Sequence, residues 1–140
     1  MISTVKNSFD VFDTAVCRLV HSPEHLHLIV GRKLRNRGVI TLSDAQWSTA
    51  RVAAEGELRQ LTEHHEVTLE EIYDSLAHTI GMESEVRGQA LDLELGEELR
   101  LVRAIAATVK RVSELQSSGV IPLFLSDTYF SAQQVESMLL

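Results

Sequence analysis

The sequence predicts an α/β chain, mostly helical by content, in which two short parallel strands flank a large block of helices. Three observations carry this. Near the start, Ser8-Phe9-Asp10-Val11-Phe12-Asp13-Thr14 runs apolar side chains into a carboxylate, Asp10. Far along the chain, Ile121-Pro122-Leu123-Phe124-Leu125 stops abruptly at Ser126-Asp127. Between them, apolar residues recur three and four apart, the spacing of helices rather than strands. A carboxylate at the end of a buried strand is costly unless a cation or hydrogen-bond donors meet it. Two strands that both end in polar side chains describe the ligand edge of an open α/β sheet.

Taken in order, residues from about Val5 to Phe12 read as the first strand, with Lys6 and Asn7 making a weak opening. Thr14 to Val20 is expected to be the loop leaving the sheet. Ser22-Pro23 starts a helix, with a hydroxyl at the N-cap and proline at the first helical position. Leu26, Ile29, Val30 and Leu34 share its inner face, and Gly38 ends it. Ser43 with Gln46 forms a capping box, followed by a stripe at Trp47, Ala50, Ala54, Leu58 and Leu61. Thr68 with Glu71 repeats the device before Leu69, Ile72, Tyr73, Leu76 and Ile80, and Gly81 closes that helix. From Glu83 a fourth helix runs through Val86, Ala90 and Leu93, and Gly96 is expected to interrupt it. A fresh stripe at Val102, Ile105, Val109, Val112 and Leu115 predicts a helix over about 99–118, stopped by Ser117-Ser118-Gly119. Val120 to Leu125 is short and apolar throughout, as a fully buried strand should be. Ser131 with Gln134 opens a last helix. A right-handed crossover would set the two strands parallel.

A chain of 140 residues suffices for one domain, or a small domain carrying an insert. The formal charge of −7 argues against a nucleic-acid or anionic-membrane binder, since both need a basic face. The clustered cations Arg32, Lys33, Arg35 and Arg37 sit at a helix end, where they complement its dipole. Cys17 is the only cysteine, so no internal disulfide forms, which fits a reducing cytoplasm. No stretch approaches the ~18 apolar residues of a membrane span. His21, His25 and His27 share no face with a cysteine or acid at ligand spacing and read as surface residues near a helix start. His64-His65 reads as a helix-end pair.

Ser8-Phe9-Asp10-Val11-Phe12-Asp13-Thr14, followed by Arg18, resembles the first motif of the haloacid dehalogenase-like (HAD) hydrolase superfamily. It is most similar to a bacterial branch in which Ser-Phe-Asp-x-Phe-Asp-Thr is the usual spelling. Leu125-Ser126-Asp127-Thr128-Tyr129-Phe130 resembles that branch's second motif, and Arg51-x-x-Ala54-Glu55 and Thr68-Leu69-Glu70-Glu71-Ile72-Tyr73 resemble its intervening helices. The resemblance implies a partial Rossmann-like core over residues 1–20 and 99–140. Residues 21–98 would be a helical cap of four-helix-bundle type, closing over the active site.

The resemblance also implies chemistry: a Mg²⁺-dependent phosphatase in which an aspartate attacks phosphorus and forms an acyl-phosphate. Two acids compete for that role. With Asp10 as nucleophile, Thr14 falls where the family has its threonine; with Asp13, that place would hold Cys17. Asp10 is therefore taken as nucleophile and, with the Phe12 carbonyl, as metal ligand. Ser126 and Thr14 would bind the phosphoryl group, Arg18 would recognise it bidentately, and Arg51 and Glu55 would face the substrate from the cap. Arg51, Glu55 and Arg59 equally fit a surface ion-pair ladder.

The sequence departs from the family at Phe12, where most HAD phosphatases carry a second aspartate that protonates the leaving oxygen. A phenyl ring cannot do so, a loss of ~10²–10⁴-fold unless another group substitutes. Asp13, one residue on, is the remaining acid candidate; a carboxylate bonding loop amides is the plainer account. The family's third-motif lysine and fourth-motif acid have no counterpart after Asp127, where the only acid is Glu136. Two strands also make an incomplete sheet. The expectation is an N-terminal portion of a longer protein or a short degenerate relative, with a missing C-terminal half or another subunit as partner. Three alternatives stand beside the phosphatase: a dehalogenase-like hydrolase, whose halide leaves without a proton; a noncatalytic protein-binding module; and a free-standing bundle.

Overall fold

A computed structural model gives the fold and describes residues 7–63 and 65–140; Val5, Lys6 and His64, named above, lie outside the described residues. The elements run β1 (Ser8–Asp10), β2 (Val16–Arg18), α1 (Pro23–Asn36), α2 (Asp44–Leu61), α3 (Leu69–Ile80), α4 (Ser84–Leu101), β3 (Val102–Ala104), α5 (Ala106–Ser117), β4 (Leu123–Leu125) and α6 (Ala132–Leu139). Helices hold 62% of the described residues, so most packing is helix on helix.

The capping boxes at Ser43–Gln46, Thr68–Glu71 and Ser131–Gln134 all form, each satisfying two amides that a helix start leaves bare. Pro23 opens α1 as expected, but the Ser22 hydroxyl makes no capping bond. Gly81 ends α3 in the left-handed conformation, at φ 69°. Helices α1 to α4 close a ring in which each touches two neighbours, a four-helix bundle. Leu26, Val30, Leu34, Trp47, Leu69, Ile72, Tyr73 and Leu76 are its most deeply buried apolar side chains. Helices α1 and α2 pack tightly at Gly31, where an added Cβ would sit 2.8 Å from the Trp47 Cβ. The same hydrophobic cluster runs on into Val11, Val16, Tyr129, Phe130, Val135 and Met138, so bundle and strands share one core.

Strands β1 and β4 pair in parallel, with Ser8, Phe9 and Asp10 opposite Leu123, Phe124 and Leu125. The segment expected to be a loop, Thr14 to Val20, instead contains β2, which pairs antiparallel with β3. This ribbon forms because the chain leaves for the bundle and returns from it at the same place: the Leu19 amide donates to Leu101 and the Ile105 amide to Ala15. The helix expected over 99–118 is accordingly shorter. Val102 belongs to the ribbon, and the helix begins at Ala106.

Two further expectations are corrected. Gly96 does not interrupt α4, which continues to Leu101 because its carboxylate-bearing face finds cationic partners in the core. The second strand is not fully buried: Leu123 is 40% and Leu125 60% exposed, since β1 is the only strand paired with β4 among the described residues. Among the described residues no helix is long and apolar enough to cross a membrane.

Two glycine substitutions separate these features. Gly31→Ala should lower stability by about 1–3 kcal/mol in urea unfolding, because the Trp47 side chain cannot move out of a packed core freely. Gly96→Ala, with nothing near its would-be Cβ, should raise it by up to about 1 kcal/mol. A destabilising Gly96→Ala would mean that α4 is not continuous there.

Candidate functional site

The parallel register places Asp10 and Ser126 at the carboxyl ends of neighbouring strands, Asp10 opposite Leu125 and Ser126 one residue beyond it. The Asp10 side chain is exposed, and its Oδ1 accepts from the Val11 amide at 2.9 Å. A tight turn follows, in which the Ala15 and Val16 amides donate to the Val11 carbonyl. Asp13 stands exposed on this turn at φ 60°, a conformation aspartate tolerates better than most residues. The half-buried Thr14 is pinned through its carbonyl, which accepts from the Thr108 hydroxyl at 2.5 Å.

Phe12 has a packing role. Its ring lies 6.1 Å from that of Phe130 and forms a platform for Arg18, whose guanidinium carbon is 4.1 Å from the ring centre. Arg18 Nε donates to Glu98 Oε1 at 2.5 Å, so the guanidinium is held between an aromatic face and a buried carboxylate. Burial pushes the Glu98 carboxyl above its usual range, against the pull of Arg18.

A cleft of about 450 Å³ lies between the bundle and the segments that follow β1 and β4; Asp10, Thr14 and Ser126 are not among its lining residues. Phe12 and Arg18 line it from the first motif and Asp127, Thr128 and Tyr129 from the second, with Glu24, His27, Glu55 and Arg59 from α1 and α2. Of the ladder on α2, Glu55 and Arg59 reach this cleft. Arg51, expected on the surface or facing substrate, is fully buried instead. Its Nε and Nη2 donate to the two oxygens of Glu94 at 3.1 and 2.8 Å, and Nη1 donates to Glu55 at 3.0 Å. The Tyr73 hydroxyl donates to the same Glu94 at 2.6 Å, and the Tyr129 ring lies 5.1 Å from the guanidinium. Burial works against the charge on Arg51, but Glu94 outweighs it and holds the guanidinium more firmly protonated. Burial likewise pushes both tyrosine hydroxyls up, with Glu94 adding to it.

His27 is the second correction at the site. Expected on the surface, it is only 3% exposed, and neither ring nitrogen has a hydrogen-bond partner. Its Nε2 is 3.9 Å from Glu94, too far for a hydrogen bond. Desolvation by burial holds its pKa below the usual imidazole range, with Glu94 opposing. Glu94, Glu98, Tyr73 and Tyr129 were not singled out by sequence as polar partners. The available signal was a helical repeat, Ala90, Leu91, Glu94, Glu97, Glu98, Leu101, that continues with acids where apolar residues belong.

The expected magnesium ligands do not complete a site. Asp10 and the Phe12 carbonyl supply two oxygens, and among the described residues no group of three His, Cys, Asp or Glu is placed to hold a metal. The chain matches no protein-family model and no curated protein.

Arg51→Ala should cost about 3–5 kcal/mol by denaturant unfolding, because it strands the buried Glu94 carboxylate. Replacing Arg51, Glu94 and Tyr73 together by Met, Leu and Phe should restore most of that loss; a triple variant as unstable as Arg51→Ala would show that packing, not an uncompensated charge, sets the cost. His27 predicts a pH dependence. Its folded pKa lies below the unfolded value of about 6.5, so its stabilising contribution is complete above that value and is lost as pH falls through the folded pKa. Glu98, shifted up, acts in the opposite direction. The informative quantity is therefore the difference between the wild type and His27→Gln, which should narrow as pH drops from 7 to 5. A constant difference would contradict the assignment.

Proposed function

We propose that this chain carries the nucleophile-bearing part of a HAD-like hydrolase site, acting on a small phosphorylated substrate. The observation that supports it is the parallel pairing of β1 with β4, which brings Asp10 and Ser126 to adjacent strand ends. The two strands with α5 between them would begin a Rossmann-like core, and the α1–α4 bundle would be its cap. The remaining strands would come from the rest of a longer protein or from another subunit. An unpaired Cys17 suits a cytoplasmic setting.

The Asp10 oxygen not bonded to the Val11 amide attacks phosphorus, the P–O bond to the ester oxygen breaks, and that oxygen departs with the electron pair. Water then attacks the aspartyl-phosphate, restoring the carboxylate and releasing hydrogen phosphate, while the water's other proton passes through solvent to the departed ester oxygen. Ser126 and Thr14 supply hydroxyls for the phosphoryl oxygens, and Arg18, held by Glu98 and Phe12, supplies positive charge from the cleft side. Glu55, rather than the buried Arg51, is the acid of the α2 pair that faces substrate. No step passes through magnesium, whose ligand set the described residues do not complete. Phe12 cannot donate a proton, so esters of acidic alcohols are the favoured substrates, and a halide leaving group is compatible with the same site.

A second reading, a noncatalytic protein-binding module, is favoured by one feature. Ile121, Leu123 and Leu125 are exposed at 82%, 40% and 60%, beside a strand edge open to a partner strand.

In the full-length protein with Mg²⁺, a panel of aryl phosphates should be hydrolysed faster as the leaving phenol becomes more acidic. Asp10→Asn should abolish turnover, a loss of at least ~10³-fold, with unchanged circular dichroism. Turnover surviving Asp10→Asn would remove the nucleophile assignment; no turnover on any ester, together with a stable complex through β4, would favour the binding module.

A further inference from the structure

A second cleft, of about 540 Å³, lies between the end of β4 and α6, and Ser126 is in its wall. So are Val11, whose amide bonds Asp10, and Leu125, which stands opposite Asp10 in the parallel register. Most of the remaining lining is apolar, and it includes the rings of Phe124 and Phe130. Neither ring stands alone. Phe124 lies 5.9 Å from Phe9, centre to centre, while Phe130 lies 6.1 Å from Phe12 and 4.6 Å from Tyr129. Ring pairs at such separations attract, so both aromatic walls are fixed before anything binds. Two exposed carboxylates, Glu66 and Glu136, also line the cleft. Neither is paired with a cation among the described residues.

We propose that this cleft seats the leaving group of the phosphate ester, and that the substrate class is an aryl phosphate, neutral or cationic at the far end of its ring. This rests on the phosphoryl-transfer function proposed above. Two independent features agree on the class. An aromatic ring gains face and edge contacts with Phe124 and Phe130, and the volume suits a molecule of that size. Since Phe12 cannot donate a proton, the leaving oxygen departs unprotonated. A phenol, ionising near pH ~10 as tyrosine does, leaves in that form far more readily than an alkyl alcohol. Glu66 and Glu136 set the sign of the substituent, repelling a carboxylate and attracting an ammonium. Ser126 belongs both to the cleft wall and to the strand end, so ring and phosphoryl group meet at its position.

The test is turnover by the full-length protein with Mg²⁺. Phenyl phosphate should show a KM roughly tenfold below that of acetyl phosphate, whose leaving group also needs no proton but is too small to fill the cleft. Ala132 is exposed and lines the cleft, so Ala132→Phe narrows it without disturbing the core. That variant should raise the KM for phenyl phosphate roughly tenfold and leave acetyl phosphate unchanged, a split that general destabilisation does not produce. Para-aminoethylphenyl phosphate should have a KM about threefold below that of para-carboxyethylphenyl phosphate, the effect of exposed charges. Glu66→Gln combined with Glu136→Gln should erase that difference. Equal KM values for phenyl and acetyl phosphate, unmoved by Ala132→Phe, would overturn the inference and leave phosphoryl transfer standing. So would a preference for the carboxylate ester. Where no phosphate is turned over, binding of para-ethylphenol that Ala132→Phe abolishes would uphold the cleft and end the phosphoryl assignment; no binding would end both.

Discussion

Arg51 of α2 and Glu94 of α4 meet in the dry centre of the bundle, and the surrounding elements are arranged about their pairing. Helix α3 contributes the Tyr73 hydroxyl, α1 brings His27 alongside, and the segment after β4 lays the Tyr129 ring near the guanidinium. A buried ion pair of this kind is no net source of stability, because desolvation offsets the attraction. What it does is tie α2 to α4, since either partner left buried without the other is strongly destabilising.

The same network continues outward to the cleft. Arg51 also bonds Glu55, which in turn accepts from Arg59 at the cleft wall. On the other side Glu98, one turn beyond Glu94, fixes Arg18 of β2. Cleft-lining charges on α2 and β2 are thus set by partners that the bundle interior holds rigid. The exposed Arg59–Glu55 contact adds little energy by itself. Its value lies in geometry, since the carboxylate it uses is already fixed from the buried side.

The bundle and the sheet are unequal in how fully they are covered. Each bundle helix has at least two helical neighbours, whereas β4 leaves two leucines in solvent and an edge without a partner strand among the described residues. The strand ends thus lie beside a finished bundle and within a sheet that still has an open edge among the described residues. Phe12 belongs to the fixed part: its ring packs on Phe130 and supports Arg18.

Much of the local structure was legible from residue order alone. Three capping boxes, the left-handed Gly81 and the stripe Leu69-Ile72-Tyr73-Leu76 act over one or two helical turns, so their signals are complete within a short window. The two apolar runs ending in Asp10 and Ser126 marked the strands that do pair. The β2–β3 ribbon was not legible, because each three-residue strand has meaning only beside the other, more than eighty residues away. Nor was the burial of Arg51, His27, Glu94 and Glu98. Sequence determined where helices start and stop and which residues lie on a common face. Only the tertiary structure decided that a face bearing charge turns inward, because the cost of burying Arg51 depends on a carboxylate supplied 43 positions further along.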